Sequence, residues 1–203
     1  MTPGDTLIIT ERKHSDQFLT GVQYLVDSYL AREGPRAQSG SSANVDRWRR
    51  KRGQVLNAID GDGDILDVGC ANGHLLKCLV EWGAERGQTL VPHGVDFGAE
   101  LIDLANKHVP DFADNFHVGN AWDWQPPRLY RYVFSLYDMV PPHFFEEYVE
   151  RLLIRAVEPG GRLIIGGYTI VGGRLRLVAA LGVRCSGRLL WGRRLRDDGG
   201  VGG

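Results

Sequence analysis

Residues 64–76 read DILDVGCANGHLL, and this run decides the fold. Asp64 to Val68 has the character of a short buried strand, and Leu75 to Trp82 has helical spacing. Between them lies a short turn bounded by Gly69 and Gly73. Gly69 lets the chain turn sharply and lets a ligand touch the backbone, and Gly73 permits close helix packing.

Working outward, the same alternation recurs. Leu90 to Val95 reads as a strand, Ala99 to His108 as a helix, and Asn115 to Val118 and Tyr132 to Leu136 as further strands. A helix over Phe144 to Val157, opened by Pro141-Pro142, leads through a Pro159-Gly160-Gly161 turn to a strand over Arg162 to Ile165. Strands alternating with helices predict an α/β fold, a doubly wound and mostly parallel sheet with right-handed crossovers and both faces covered. Upstream, Asp16 to Glu33 predicts an amphipathic helix burying Phe18, Val22, Leu25, Val26, Tyr29 and Leu30. Gly34 to Ser42 reads as a linker, and a helix from Asn44 or Asp46 to Ile59 buries Trp48, Val55, Leu56 and Ile59. The division is residues 1–44 as an N-terminal helix and linker able to lid the cleft, 45–170 as the ligand-binding domain, and 171–203 as an atypical C-terminal segment.

The chain of 203 residues is 43% hydrophobic and 24% charged, with a net charge of −1. Those proportions exclude wholesale disorder. Three scattered cysteines exclude a disulfide scaffold, and the six histidines show no zinc-type spacing with them, so no metal is expected. No apolar stretch reaches the ~18–20 residues of a spanning helix, and no secretory signal is visible. The expectation is a cytoplasmic protein without membrane contact. The charge is unevenly spread. Between Gly172 and Arg196 there are seven arginines and no acid, which leaves −8 for the rest of the chain. The segment also allows a helix over Leu175 to Leu181 and a strand around Leu189 to Trp191.

In an open parallel sheet, ligands bind beyond the carboxyl ends of the strands. Three loops therefore matter: the glycine loop, Asp96 after the second strand, and GNAWDW at 119–124 after the third. Asp96 stands 27 residues beyond Gly69, placed to accept both hydroxyls of a ribose. The amide and aromatics of 120–124 suit the edge and face of an adenine.

DILDVGCANGHLL, GVDFGAELIDLA, HVGNAWDW and VEPGGRLIIGGY occur here in the order of the class I S-adenosylmethionine-dependent methyltransferases, which residues 46 to 168 resemble. The resemblance implies S-adenosyl-L-methionine as cofactor. It implies that Asp67 orients the glycine loop and holds the ammonium, and that Gly69, Cys70, Ala71 and Gly73 line the methionine and ribose. Asp96 would bind the ribose hydroxyls, Phe97 would lie against adenine, and Asn120, Ala121 and Trp122 would close over it. Leu136 would sit near the sulfonium. The family fold ends with a helix and an antiparallel strand pair, for which 171–203 is poorly patterned. The incomplete glycine cradle and the charge of Asp67 disfavour a nicotinamide cofactor, whose pyrophosphate an acid would repel.

Any catalytic base is expected within 135–143, with His143 the candidate. Val140 precedes Pro141-Pro142 where adenine and glutamine-amide methyltransferases carry Asn or Asp, which argues against those acceptors. Arg47 to Arg52 places five cations in six residues. It reads as a solvated helix face more readily than as a phosphate-binding patch for RNA, because the net charge is −1. The reading is a methyltransferase acting on a small molecule, with nucleic acid disfavoured and the oligomeric state open. A non-catalytic binding protein, or an RNA methyltransferase using the basic patches, is the alternative.

Overall fold

The computed structural model describes residues 16–40, 44–171 and 174–177, with side chains for 21–40 and 44–167. The sheet is built from β1 (Gly63–Val68), β2 (Leu90–Asp96), β3 (Phe116–Val118), β4 (Tyr130–Leu136) and β5 (Val157–Gly166). All five run parallel, in the order β3-β2-β1-β4-β5. The order reverses between β1 and β4, so a crevice opens there at the carboxyl edge.

Alternation along the strands feeds two cores. Ile65, Tyr132, Phe134 and Ile164 face one side, under α3 (Val45–Arg52), α4 (His74–Ala84) and α5 (Ala99–His108). Leu66, Val68, Val133, Leu163 and Ile165 face the other, where α6 (Phe145–Arg155) supplies Tyr148 and Leu152. A buried bond of 2.8 Å between the Ser135 and Tyr148 hydroxyls ties α6 to β4. These are the covered faces that a sheet with near-continuous apolar strands requires.

Several expectations change in detail. Trp48, Val55, Leu56 and Ile59 are buried, but one long helix is not formed: α3 starts at Asn44, whose side chain accepts from the Arg47 N–H, and gives way at Gly53 to a 3-10 turn. The stretch read as a linker holds a short helix, α2 (Pro35–Gln38), with proline in its first turn. The helix α1 (Asp16–Leu30) buries Val26 but leaves Leu25 exposed. Residues 158–161 do not end the preceding helix. They loop out within β5, since Val157 pairs with Tyr130 and Arg162 with Tyr132.

After β5 the chain forms an antiparallel ribbon, β6 (Tyr168–Val171) with β7 (Arg174–Leu177), apart from the main sheet. Residues 175–177 are therefore strand rather than the start of a helix, and the expectations beyond Leu177 lie outside the described residues. Among the described residues β5 is an edge strand.

Gly94, on β2, lies under the glycine loop: a Cβ there would come 2.6 Å from Cys70 Sγ and 2.8 Å from Phe116 Cδ1. Gly94→Ala is expected to lower stability by ~1–3 kcal/mol through overpacking. Urea unfolding checks this, and an unchanged midpoint would show that Cys70 and Phe116 yield freely.

Candidate functional site

At the carboxyl edge the loops after β1, β2, β3 and β4 meet α1 and α3 around a cavity of ≈ 710 Å³. Small-molecule sites span ~300–1,000 Å³. The loop after β1 forms one wall. Gly69 stands at φ +89°, and a Cβ there would lie 2.5 Å from Met139 Cε. Ala71 is the one non-glycine at positive φ among the described residues, at +48°. That conformation costs ~1–2 kcal/mol, and a built contact holds it: the Ala71 N–H donates to Asp96 Oδ2 at 2.8 Å. The Gly98 N–H donates to the other oxygen at 3.0 Å.

Asn72 anchors the same loop. It is fully buried, donates from Nδ2 to the Pro35 carbonyl at 2.8 Å, and accepts from the His74 N–H at 3.2 Å. Its role was readable only from Asn two residues before a helix start, where a side chain bonds back to the backbone. Above the loop, Val26 of α1 packs on Ala71 and Leu101, with Val22 and Tyr29 alongside. α1 thus roofs the cavity.

Two carboxylates lie in this desolvated wall. Asp67 is 3% exposed, and burial pushes its pKa up to about 7, with Arg52 opposing and Asp96 adding. Burial also raises Asp96, against the N–H groups of Gly98, Ala71 and Phe97. Burial, together with Asp96 and Asp67, lifts the Cys70 thiol well above its ordinary value, so it is a neutral packing group rather than a nucleophile.

The sequence-expected residues Asp67, Gly69, Cys70, Ala71, Asp96, Phe97, Asn120, Ala121 and Leu136 all line the cavity. Three others lie elsewhere. Gly73 is a packing glycine, where a Cβ would meet Ala105 Cβ at 3.0 Å. Trp122 is buried in the core beneath α6, its ring 5.2 Å from that of Phe144 and under the Arg151 guanidinium. His143 is exposed, its ring 4.1 Å from the Phe144 ring, because the Pro141-Pro142 turn carries it off the cavity. Asp138, in the same segment, does line the cavity. So do Tyr29, Ser39, Gly40, Arg47, Lys51 and Arg52, which the pattern of strand-end loops does not find. Asn120 is half-buried; its Oδ1 accepts from the Trp122 N–H at 2.9 Å, while its Nδ2 is buried with no partner among the described residues. Among the described residues no cluster of three or more His, Cys, Asp or Glu is placed to hold a metal ion. None of their helices is long and apolar enough to cross a membrane.

The raised pKa of Asp67 makes a stability prediction. Between about pH 4 and 7 the folded chain keeps a proton that the unfolded chain has released, so this group's contribution falls as pH rises through that window. Asp67→Asn is expected to gain stability over wild type progressively from pH 4 to 7.5 in urea unfolding. A difference that does not change with pH would contradict the buried-carboxylate assignment.

No family model and no curated protein sequence matches the chain. Solved structures do. DhpI, in a complex with SAM and HEP, is 23% identical with a TM-score of 0.57 over 74% of this chain and 65% of its own. Haemonchus contortus phosphoethanolamine N-methyltransferase 1, bound to phosphoethanolamine and S-adenosylhomocysteine, is 15% identical with a TM-score of 0.61, over 81% of this chain and 36% of its own. The [4+2]-cyclase SpnF is 17% identical with a TM-score of 0.51, over 79% and 65%. The chain therefore spans less than two thirds of each of these. With its five parallel strands and flanking helices, the chain has the class I methyltransferase α/β fold.

Proposed function

We propose that the chain is an S-adenosylmethionine-dependent methyltransferase of class I acting on a small-molecule acceptor. One observation carries the reading: Asp67 and Asp96, from adjacent strands, line one cavity on the two sides of the Gly69–Ala71 turn.

The residues present fit the cofactor group by group. Asp67 is a desolvated carboxylate with Arg52 close enough to pull on its proton, a charge pair matched to the ammonium and carboxylate of an α-amino acid. Asp96 accepts from backbone N–H groups on both oxygens, and the remaining acceptor capacity of the carboxylate is available to ribose hydroxyls. The unpartnered Nδ2 of Asn120 is a donor for a ring nitrogen, with Phe97 and Ala121 beside it on the cavity wall. Held by Asp67, Asp96 and Asn120, the cofactor would supply an electrophilic methyl group for transfer to a nucleophilic acceptor.

This chain's own contribution is to bind, orient and exclude water. Leu136 and Met139 keep the wall near the strand ends apolar, and α1 roofs it. In this reading Asp138, an exposed carboxylate on the cavity wall after β4, takes a proton from the acceptor. Free thiols at buried Cys70 and Cys78 accord with a reducing, cytoplasmic compartment. A second reading, in which the chain binds the cofactor without methyl transfer, is supported by the name of SpnF, a cyclase, because one fold can serve different chemistry.

Calorimetric titration separates these readings when paired with transfer of labelled methyl to a panel of small amines, alcohols and acids. Wild type is expected to bind S-adenosylhomocysteine and not NAD. Asn120→Asp, which keeps the Oδ1 acceptor and removes the donor, should weaken it about tenfold. Binding without turnover would favour the second reading, and no binding would overturn both.

A further inference from the structure

The basic run on α3 is divided by the fold. Arg49 pairs with Glu85, and Arg50 turns with Arg86 toward a separate, shallower pocket. Arg47, Lys51 and Arg52 instead line the main cavity, together with the buried Trp48. Arg47 and Lys51, four residues apart, share one face of the helix, and Arg52 follows at its last position. Elsewhere the cations that meet the sheet are paired: Arg128 with Asp64, and Arg131 and Arg162 with Asp60. Among the described residues neither Arg47 nor Lys51 has an ion-pair partner. The Lys51 ammonium is lowered by burial and then by Arg47 and Arg52, as crowding of like charges requires. The backbone of β7, whose sequence is RLRL, runs beside α3 and adds no acid to this side.

The cavity is thus divided in charge. Asp67, Asp96 and Asp138 come from the sheet loops, and the cations come from α3. Arg52 acts on Asp67, within the cofactor half. That leaves Arg47 and Lys51 as cations on the cavity wall to which the reading above assigns no cofactor group. Two like charges held at a cavity wall are stabilised by an anion that bridges them.

We propose that Arg47 and Lys51 form the acceptor-recognition subsite, and that the acceptor is a small molecule carrying a carboxylate, phosphate or phosphonate group. The anion fixes one end of the acceptor on α3 and so directs its nucleophile toward the strand ends. This rests on the methyltransferase reading. The roof formed by α1 and the 710 Å³ volume suit a small molecule rather than a polymer.

The test uses the full chain saturated with S-adenosylhomocysteine and titrated at low salt with phenylphosphonate, benzoate and the neutral benzyl alcohol. The two anions are expected to bind saturably and the alcohol to bind at least about tenfold more weakly. Lys51→Gln and Arg47→Gln should each weaken the anions about tenfold. Arg50→Gln, the same charge change on the same helix away from the cavity, should leave them within about twofold. Homocysteine-nucleoside affinity, measured in each variant, should hold. Equal binding of the alcohol, or equal effects of Lys51→Gln and Arg50→Gln, overturns the subsite while leaving the cofactor reading intact. Tighter, Lys51-dependent binding of a single-stranded RNA than of either anion overturns the small-molecule assignment. A chain that binds no S-adenosylhomocysteine overturns the methyltransferase reading and the subsite with it.

Discussion

The hydrogen bond from the Ala71 N–H to Asp96 Oδ2 is the contact on which the site depends. It joins the loop after β1 to the end of β2, and it holds Ala71 in a left-handed conformation that an L-residue otherwise avoids. Gly69 must then turn at positive φ beneath Met139. Val26 of α1 rests on Ala71, so the roof of the cavity is seated on the same strained residue. Asn72 fixes the far side of the loop through Pro35. The adjacent strand ends, the floor and the roof are thus coupled through a loop of five residues.

That coupling also sets the electrostatics. Holding the loop against β2 buries two carboxylates in one wall, and burial raises both. Arg52 pulls on Asp67, and backbone N–H groups hold Asp96. A cationic, hydroxyl-rich ligand relieves this wall, whereas a pyrophosphate would add charge of the same sign. The division between acidic strand ends and a basic α3 follows from where the chain's charges fall in sequence. Acids occur at strand ends, and the cations crowd into 47–52.

The sheet and the glycine loop were legible because they obey local rules. Strands buried on both faces read as apolar runs, and the helices between them show 3.6-residue spacing. The alternation located β1, β2, β4 and β5, and with them the loops that carry Asp67 and Asp96. What remained hidden depends on tertiary placement. Trp122 and His143 follow strand-end loops like the cavity residues do, yet one turns into the core beneath α6 and the other faces solvent. Nothing in their own neighbourhood separates these outcomes. Arg47, Lys51 and Arg52 looked like a solvated face because only the docking of Trp48 in the core aims that side of α3 into the cavity. The ribbon of β6 and β7 was unreadable for another reason: RLRL alternates over only four residues, and leucine and arginine are good helix formers.

A crystal structure of the chain with S-adenosylhomocysteine tests the central claim most directly. The account predicts density across Gly69–Ala71, with the ribose hydroxyls on Asp96, the ammonium at Asp67 and the adenine within reach of Asn120 Nδ2. A ligand bound elsewhere, or no ligand at saturating concentration with the Ala71–Asp96 bond intact, would contradict it.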